Sequence, residues 1–170
     1  MNLREKIDDI HNFPKKGILF RDISPILRDP SAFSFILDEF TKRYHPKEID
    51  VLAGIEARGF LLASPLALRY NKGMIMIRKQ GKLPGKTKFL SYTTEYGRSV
   101  LEIQLSAIKK DQKVLICDDL LATGGTAKAA AKLVENIGGK VTGFAFIVEL
   151  TDLKGSKIIS KYKRESLVKY

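Results

Sequence analysis

Four β-compatible apolar residues, V-L-I-C at 114–117, lead directly into two carboxylates, Asp118 and Asp119. Thr123, Gly124, Gly125 and Thr126 follow and open a helical pattern that reaches Ile137. No other stretch constrains the chain as much, because this order sets a helix N-terminus at the end of a strand. Unpaired backbone N–H groups and the positive end of the helix dipole favour an anion there, and Gly124 and Gly125 let it approach the backbone closely. The hydroxyls of Thr123 and Thr126 add donors. A bare phosphate has no use for two neighbouring acids, since carboxylates repel it. They become useful when the ligand also carries hydroxyls or a divalent cation, and phosphate, diol and cation together describe a phosphorylated ribose. The bland alternative is that the two acids cap a turn and the glycines meet a backbone requirement. It leaves unexplained why four residue types with distinct roles meet in one strand-turn-helix context.

The rest of the chain alternates in the same manner. Apolar runs at 49–55, 73–77, 114–118 and 141–150 are separated by helical patterns at 59–70 and 125–137. Nearly continuous apolar strands of this kind imply an α/β fold, with a parallel sheet covered by helices on both faces. A short helix is expected over 3–10, and a structured loop over the Pro- and Gly-bearing residues 13–30. A core helix carries Phe33, Ile36, Leu37, Phe40 and Tyr44 on one face, with Ser31 as its N-cap and Pro46 ending it. Residues 86–104 are polar and centre on Tyr96-Gly97, which predicts an antiparallel hairpin or flap projecting from the sheet.

At 170 residues and 44% hydrophobic content the chain suits one domain, since domains commonly run to about 100–200 residues. The lone Cys117, in an apolar strand, cannot form an internal disulfide and fits a reducing cytoplasm. The longest apolar run, 60–68, is interrupted by Ser64 and Pro65 and is too short to span a bilayer, so neither a membrane span nor a signal peptide is expected. The net charge of +11 could serve nucleic acid, a membrane surface or an anionic substrate. The lysines are scattered, without aromatic interleaving or zinc-finger spacing, so no nucleic-acid module is expected and some of them steer a polyanionic substrate. His11 and His45 have no spacing that suits metal ligation or a catalytic triad.

Ligands of open α/β sheets sit beyond the carboxyl ends of strands, and here such ends follow Ile55, Ile77 and Asp118. Beyond Ile77, Arg78, Lys79 and Lys82 around Gly81 and Gly85 suit a diphosphate, and Arg58 can join them. Read without other information, the same residues also fit a solvated basic loop.

The stretch D-D-L-L-A-T-G-G-T resembles the donor-binding signature of the type I phosphoribosyltransferases, in the form associated with their adenine-specific branch. F-P-K-K-G-I-L-F-R-D-I-S-P-I-L (13–27), G-I-E-A-R-G-F (54–60), I-R-K-Q-G-K-L-P-G (77–85) and S-Y-T-T-E-Y-G (91–97) resemble the same family, in order, over nearly the whole chain. The resemblance implies a parallel sheet flanked by helices, with a flexible antiparallel flap (86–104) and an N-terminal base-binding hood (1–30), in one domain spanning 1–170. It implies transfer of a phosphoribosyl group from 5-phospho-α-D-ribose 1-diphosphate to adenine, giving AMP and diphosphate. Magnesium would be bound mainly through the substrate and held through water by Asp118 and Asp119, and the protein would be a homodimer.

The family's roles carry over residue by residue. Ala122, Thr123, Gly124, Gly125 and Thr126 take the 5-phosphate, with Asp118 and Asp119 on the ribose; Arg58, Arg78, Lys79 and Lys82 take the diphosphate. Phe20 stacks on the purine while backbone groups of Leu19 and Arg21 read its edge, the alternative for Phe20 being core packing beside Ile18. A backbone carbonyl accepts from a 6-amino group but would face a 6-oxo group acceptor to acceptor, at a cost of about 1–3 kcal/mol. Hypoxanthine-guanine enzymes of this fold carry an aspartate where this chain has Ala122, so the acid/base must come from elsewhere. Glu95 on the flap is the candidate, assisted by Arg58 and by Tyr96 closing over the substrate; Glu102 is the competing carboxylate, and an exposed, inert Glu95 the alternative. The family pattern also implies a cis peptide at Glu56-Ala57, and Glu149 with residues 151–155 as a wall of the base pocket. Two other readings stay open: a different acceptor such as xanthine or orotate, and a regulator that senses the donor and binds nucleic acid.

Overall fold

The computed structural model describes residues 1–94 and 97–170. The chain runs through β1 (Asp8–His11), β2 (Leu19–Asp22), α1 (Ser24–Arg28), α2 (Pro30–Arg43), β3 (Val51–Ile55), α3 (Glu56–Tyr70) and β4 (Gly73–Lys79). It continues through β5 (Thr87–Thr94), β6 (Gly97–Gln104), β7 (Lys113–Leu121), α4 (Gly125–Asn136), β8 (Lys140–Glu149), α5 (Gly155–Ile158) and β9 (Lys163–Lys169). β1 and β2 pair antiparallel by themselves, and the other strands form one sheet in the order β5-β6-β4-β3-β7-β8-β9. Its five strands from β4 to β9 are parallel, and β6 and β5 join antiparallel at one edge.

Every residue of β3 is buried, as a strand covered on both faces requires. One face packs against α2 and α3 through Ile36, Phe40, Leu62, Leu66 and Leu115. The other receives α4, whose Ala130, Leu133 and Val134 meet Ile116 and Phe144. The hydroxyl of the buried Tyr44 donates to the Phe144 carbonyl at 2.7 Å, which satisfies both polar groups inside the core. Among the described residues, no helix is long and apolar enough to cross a membrane.

Local structure departs from the sequence expectations at several points. Residues 3–10 are not one helix: a 3-10 turn at Leu3–Lys6 gives way to β1, which β2 holds in extended form. The expected loop 13–30 contains β2 and α1. Asp29, not Ser31, caps α2: its Oδ1 accepts the N–H groups of Ser31 (2.9 Å) and Ala32 (3.2 Å), because Pro30, with its preset φ, starts the helix one residue earlier. β7 runs on to Leu121, so Asp118 and Asp119 lie within the strand. The antiparallel hairpin forms, and β6 also pairs with β4 at two positions (Arg78 opposite Glu102, Lys79 opposite Leu101), which joins its base to the sheet edge. Among the described residues the cis peptide is Phe13-Pro14, not Glu56-Ala57; Glu56 takes a left-handed φ of 51° where β3 turns into α3. Near the C-terminus, Lys163–Lys169 form β9, an edge strand.

Candidate active site

β4, β3 and β7 are neighbouring parallel strands, so their carboxyl ends open on one side of the sheet. Gly54 of β3 stands opposite Cys117, and Ile55 opposite Ile77, which brings Asp118, Asp119 and Arg78 to the level where β3 ends and α3 begins. This is the crevice in which open α/β sheets bind ligands.

The glycine turn is held by close approach of backbones. Gly124 is the N-cap of α4 at φ 83°, with no side-chain cap, so the first N–H groups of a 12-residue helix are left without a capping side chain. A Cβ on Gly124 would lie 2.6 Å from the Gly155 carbonyl oxygen, and one on Gly125 would lie 2.9 Å from that of Thr93 on β5. Thr126 Oγ1 donates to the Tyr92 hydroxyl at 3.3 Å, so the hairpin rests on the turn. Sequence reasoning missed Gly155 as part of this construction. It was expected to wall the base pocket, whereas here a Cβ would come within 2.1 Å of the Ala122 carbonyl oxygen. Its only sequence signal is a glycine just beyond a strand end.

The two aspartates differ. Asp119 is only 3% exposed, and its Oδ2 lies 3.1 Å from an Arg58 guanidinium nitrogen without hydrogen-bond alignment, which leaves a buried acceptor without a hydrogen bond. Such an oxygen suits a ligand hydroxyl or a water on a cation. Asp118 Oδ1 accepts the Asp119 N–H at 2.9 Å. Burial pushes the Asp118 carboxyl well above its ordinary value of 3.8, and the neighbouring Asp119 charge pushes it further. Between 3.8 and the raised value the folded protein therefore binds the extra proton, and stability falls as pH rises through that window. Asp118→Asn should raise the melting temperature by about 2–5 °C at pH 7. It should also weaken donor binding, and the melting difference should vanish below an ordinary carboxylate pKa; melting curves across pH check this.

Arg58, in the first turn of α3, joins the acids to the N-terminal pair of strands: its Cζ is 5.3 Å from the Phe20 ring centre. Phe20 is half-buried and meets Phe13 edge-on at 5.1 Å, so it is not part of the core. Leu19 is 37% exposed, and the Arg21 side chain pairs with Asp9 and lies 3.7 Å over the Tyr170 ring. Among the described residues β2 has a sheet partner on one edge only, and Leu19 and Arg21, sharing a parity, turn their backbone polar groups the same way.

Beyond β4 the basic residues separate. Arg78 lies within the strand, its Nε 3.5 Å from Glu56 Oε1, buried and without a hydrogen bond, and its Cζ 5.5 Å from the Phe60 ring. The Lys79 N–H donates to the same Glu56 oxygen at 2.7 Å, while the side chains of Lys79 and Lys82 are exposed. Glu102, the competing acid/base, is 3% exposed and engaged: its Oε1 accepts the N–H groups of Lys82 and Leu83, each at 2.9 Å. Burial pushes its carboxyl up. Donors from Leu83, Lys82, Thr87 and Gly81 outweigh that and hold it below the ordinary range. Glu95 and Tyr96 lie outside the described residues. Glu149 is buried, 3.9 Å from Lys169 Nζ, and lines a groove along β9 with Arg43 and Glu165.

Among the described residues no three His, Cys, Asp or Glu cluster as a cation cage. The Asp118-Asp119 pair, with its open Oδ2, fits a cation that arrives with its own ligands and is held through water. The crevice can thus take a phosphate on amides, hydroxyls on carboxylates, and a flat apolar ring near Phe20.

A family model described as phosphoribosyl transferase domain matches residues 27–168. Adenine phosphoribosyltransferase of Nitrosopumilus maritimus (strain SCM1) is 70% identical over 170 residues, all of both chains, and that of Cenarchaeum symbiosum (strain A) is 58% identical over the same span. Among solved structures, adenine phosphoribosyltransferase from Thermoanaerobacter pseudethanolicus superposes with a TM-score of 0.95 at 46% identity, covering 99% of this chain and 98% of the other. That from Saccharomyces cerevisiae, complexed with an imino-altritol bisphosphate and adenine, gives 0.90 at 39% identity, covering 97% and 96%.

Proposed function

This chain belongs to the phosphoribosyl transferase family, and we propose from that membership that it moves the phosphoribosyl group of 5-phospho-α-D-ribose 1-diphosphate onto adenine, releasing diphosphate and forming AMP. The observation that carries the reading is the pairing of an uncapped α4 N-terminus with the unsatisfied Asp119 Oδ2, one suited to an anion and the other to a hydroxyl.

The turn from Ala122 to Thr126 grips the 5-phosphate, and Asp118 and Asp119 hold the ribose hydroxyls. The exposed Lys79 and Lys82 take the diphosphate, with Arg58 and Arg78 at the rim. Phe20 stacks on adenine, and the unpaired edge of β2 offers Leu19 and Arg21 backbone groups to its amine and N1. As the ribose C1–O bond breaks, its electron pair leaves with diphosphate and positive charge grows on the ring beside the two carboxylates. Purine N9 attacks C1 with its lone pair, and the N7 proton passes to Glu95, the role Ala122 cannot fill. Tyr96 and the hairpin exclude water that would otherwise hydrolyse the donor. Asp118 and Asp119 would hold a donor-borne magnesium through water, and such an ion would supply positive charge against the leaving group.

The exposed Leu61 and Leu68 on α3 support a homodimer, and the lone buried Cys117 supports a reducing, cytoplasmic setting. Purified protein with donor, magnesium and each of adenine, hypoxanthine, guanine, xanthine and orotate tests the reading. Diphosphate release should depend on adenine and stop on chelation of magnesium. Release with xanthine or orotate instead would reassign the acceptor, and salt-sensitive DNA binding without turnover would make the protein a regulator.

A further inference from the structure

The loop joining β4 to β5 carries Lys82 to the crevice just beyond Lys79, the last residue of β4, yet it contains Gly81, Pro84 and Gly85 and has little local structure to hold a shape. Its shape comes from β6. Glu102 Oε1 accepts the Lys82 and Leu83 N–H groups, each at 2.9 Å. Two residues on, and therefore on the same face of the strand, Gln104 Nε2 donates to the Pro84 carbonyl at 3.0 Å. The Gln80 N–H reaches the Val100 carbonyl at 3.1 Å, and the Leu105 N–H reaches that of Lys86 at 2.9 Å. Glu102 is the charged member of this row, and at 3% exposure it has no access for chemistry of its own.

We infer that Glu102 is a positioning residue for the diphosphate grip: its buried carboxylate gathers the N–H groups of the loop inward and thereby turns the Lys82 side chain out toward the leaving group. This rests on the reading of that loop as the diphosphate site. Charge-assisted bonds from one carboxylate oxygen to two amides are short and strong, and they fix the loop before substrate arrives. The grip is then preorganised rather than assembled at the cost of donor affinity. The 5-phosphate and base sites lie on other elements, α4 and β2.

Glu102→Ala, Glu102→Gln and Glu102→Asp separate this from a general structural role. In Glu102→Ala the donor KM should rise, and inhibition by free diphosphate should weaken, by about tenfold or more. The adenine KM and the AMP dissociation constant should stay within about twofold. Glu102→Gln, which keeps an acceptor, should recover most of the loss. If Glu102→Ala does not fold, as judged by its melting curve, Glu102→Asp carries the test, because its shorter reach should give the same donor-only defect. Loss of AMP affinity in step with donor affinity, or an unchanged donor KM in a folded variant, would overturn the inference. Wild-type protein without adenine turnover would instead overturn the proposed function, so the two failures are told apart.

Discussion

Gly155→Ala is expected to cripple the protein although Gly155 contributes no functional group. The added Cβ would stand 2.1 Å from the Ala122 carbonyl oxygen and 2.9 Å from the Gly124 nitrogen, and neither backbone atom can rotate away as a side chain would. The strand-turn-helix must shift, or α5 must detach from it. Forced shifts of this kind cost about 1–3 kcal/mol, and a misplacement near 1 Å at a binding turn costs about 100-fold in turnover on the donor. Denaturant unfolding and donor titration calorimetry should therefore both register the change. Gly73→Ala is the matching control: Gly73 begins β4, at the end of the strand away from the crevice, with nothing within 4 Å of an added Cβ, so stability and donor binding should both stay nearly intact. Equal effects at both positions would show that the turn does not depend on its packing against residue 155.

Glu95→Gln is expected to lower kcat by about 10²- to 10⁴-fold, the usual contribution of a positioned acid or base, while both KM values change little. The acid limb of the kcat profile should disappear with the carboxylate, since a base must be ionised before it can accept the N7 proton. Glu102→Gln should leave that limb in place, because Glu102 is buried and already engaged by the loop. Retention of the acid limb in Glu95→Gln would move proton transfer to another group and remove Glu95 from the mechanism.

The parts of the site that were readable in the chain are those whose residues are close in sequence. Asp118, Asp119 and the 123–126 turn declare themselves because strand period, acid pair, glycines and helix start follow one another without interruption. The hairpin was readable for the same reason, from a polar segment centred on Tyr96-Gly97, although its pairing with β4 was not. Where two local signals compete, the reading fails by a residue or two: Asp29 and Ser31 are both good caps, and Pro30 decides between them. At the N-terminus a helical pattern gave way to β1, because all four of its residues are exposed and only pairing with β2 sets their conformation.

Residues that act through distant partners were not readable. Glu102 was weighed as a proton carrier because a carboxylate near a flap invites that role; only the fold shows its charge spent on the amides of Lys82 and Leu83. Arg78 was counted with the loop cations, yet it lies in β4 with its Nε 3.5 Å from Glu56. Near neighbours along the chain fix the alternation of strands and helices and the chemistry of the glycine turn, because both arise from hydrogen bonding and hydrophobic period over a few residues. Which backbones press on that turn, what shapes the basic loop, and how Arg58 links Asp119 to Phe20 are set by the fold. Those depend on sheet order and helix placement, which bring together segments far apart along the chain.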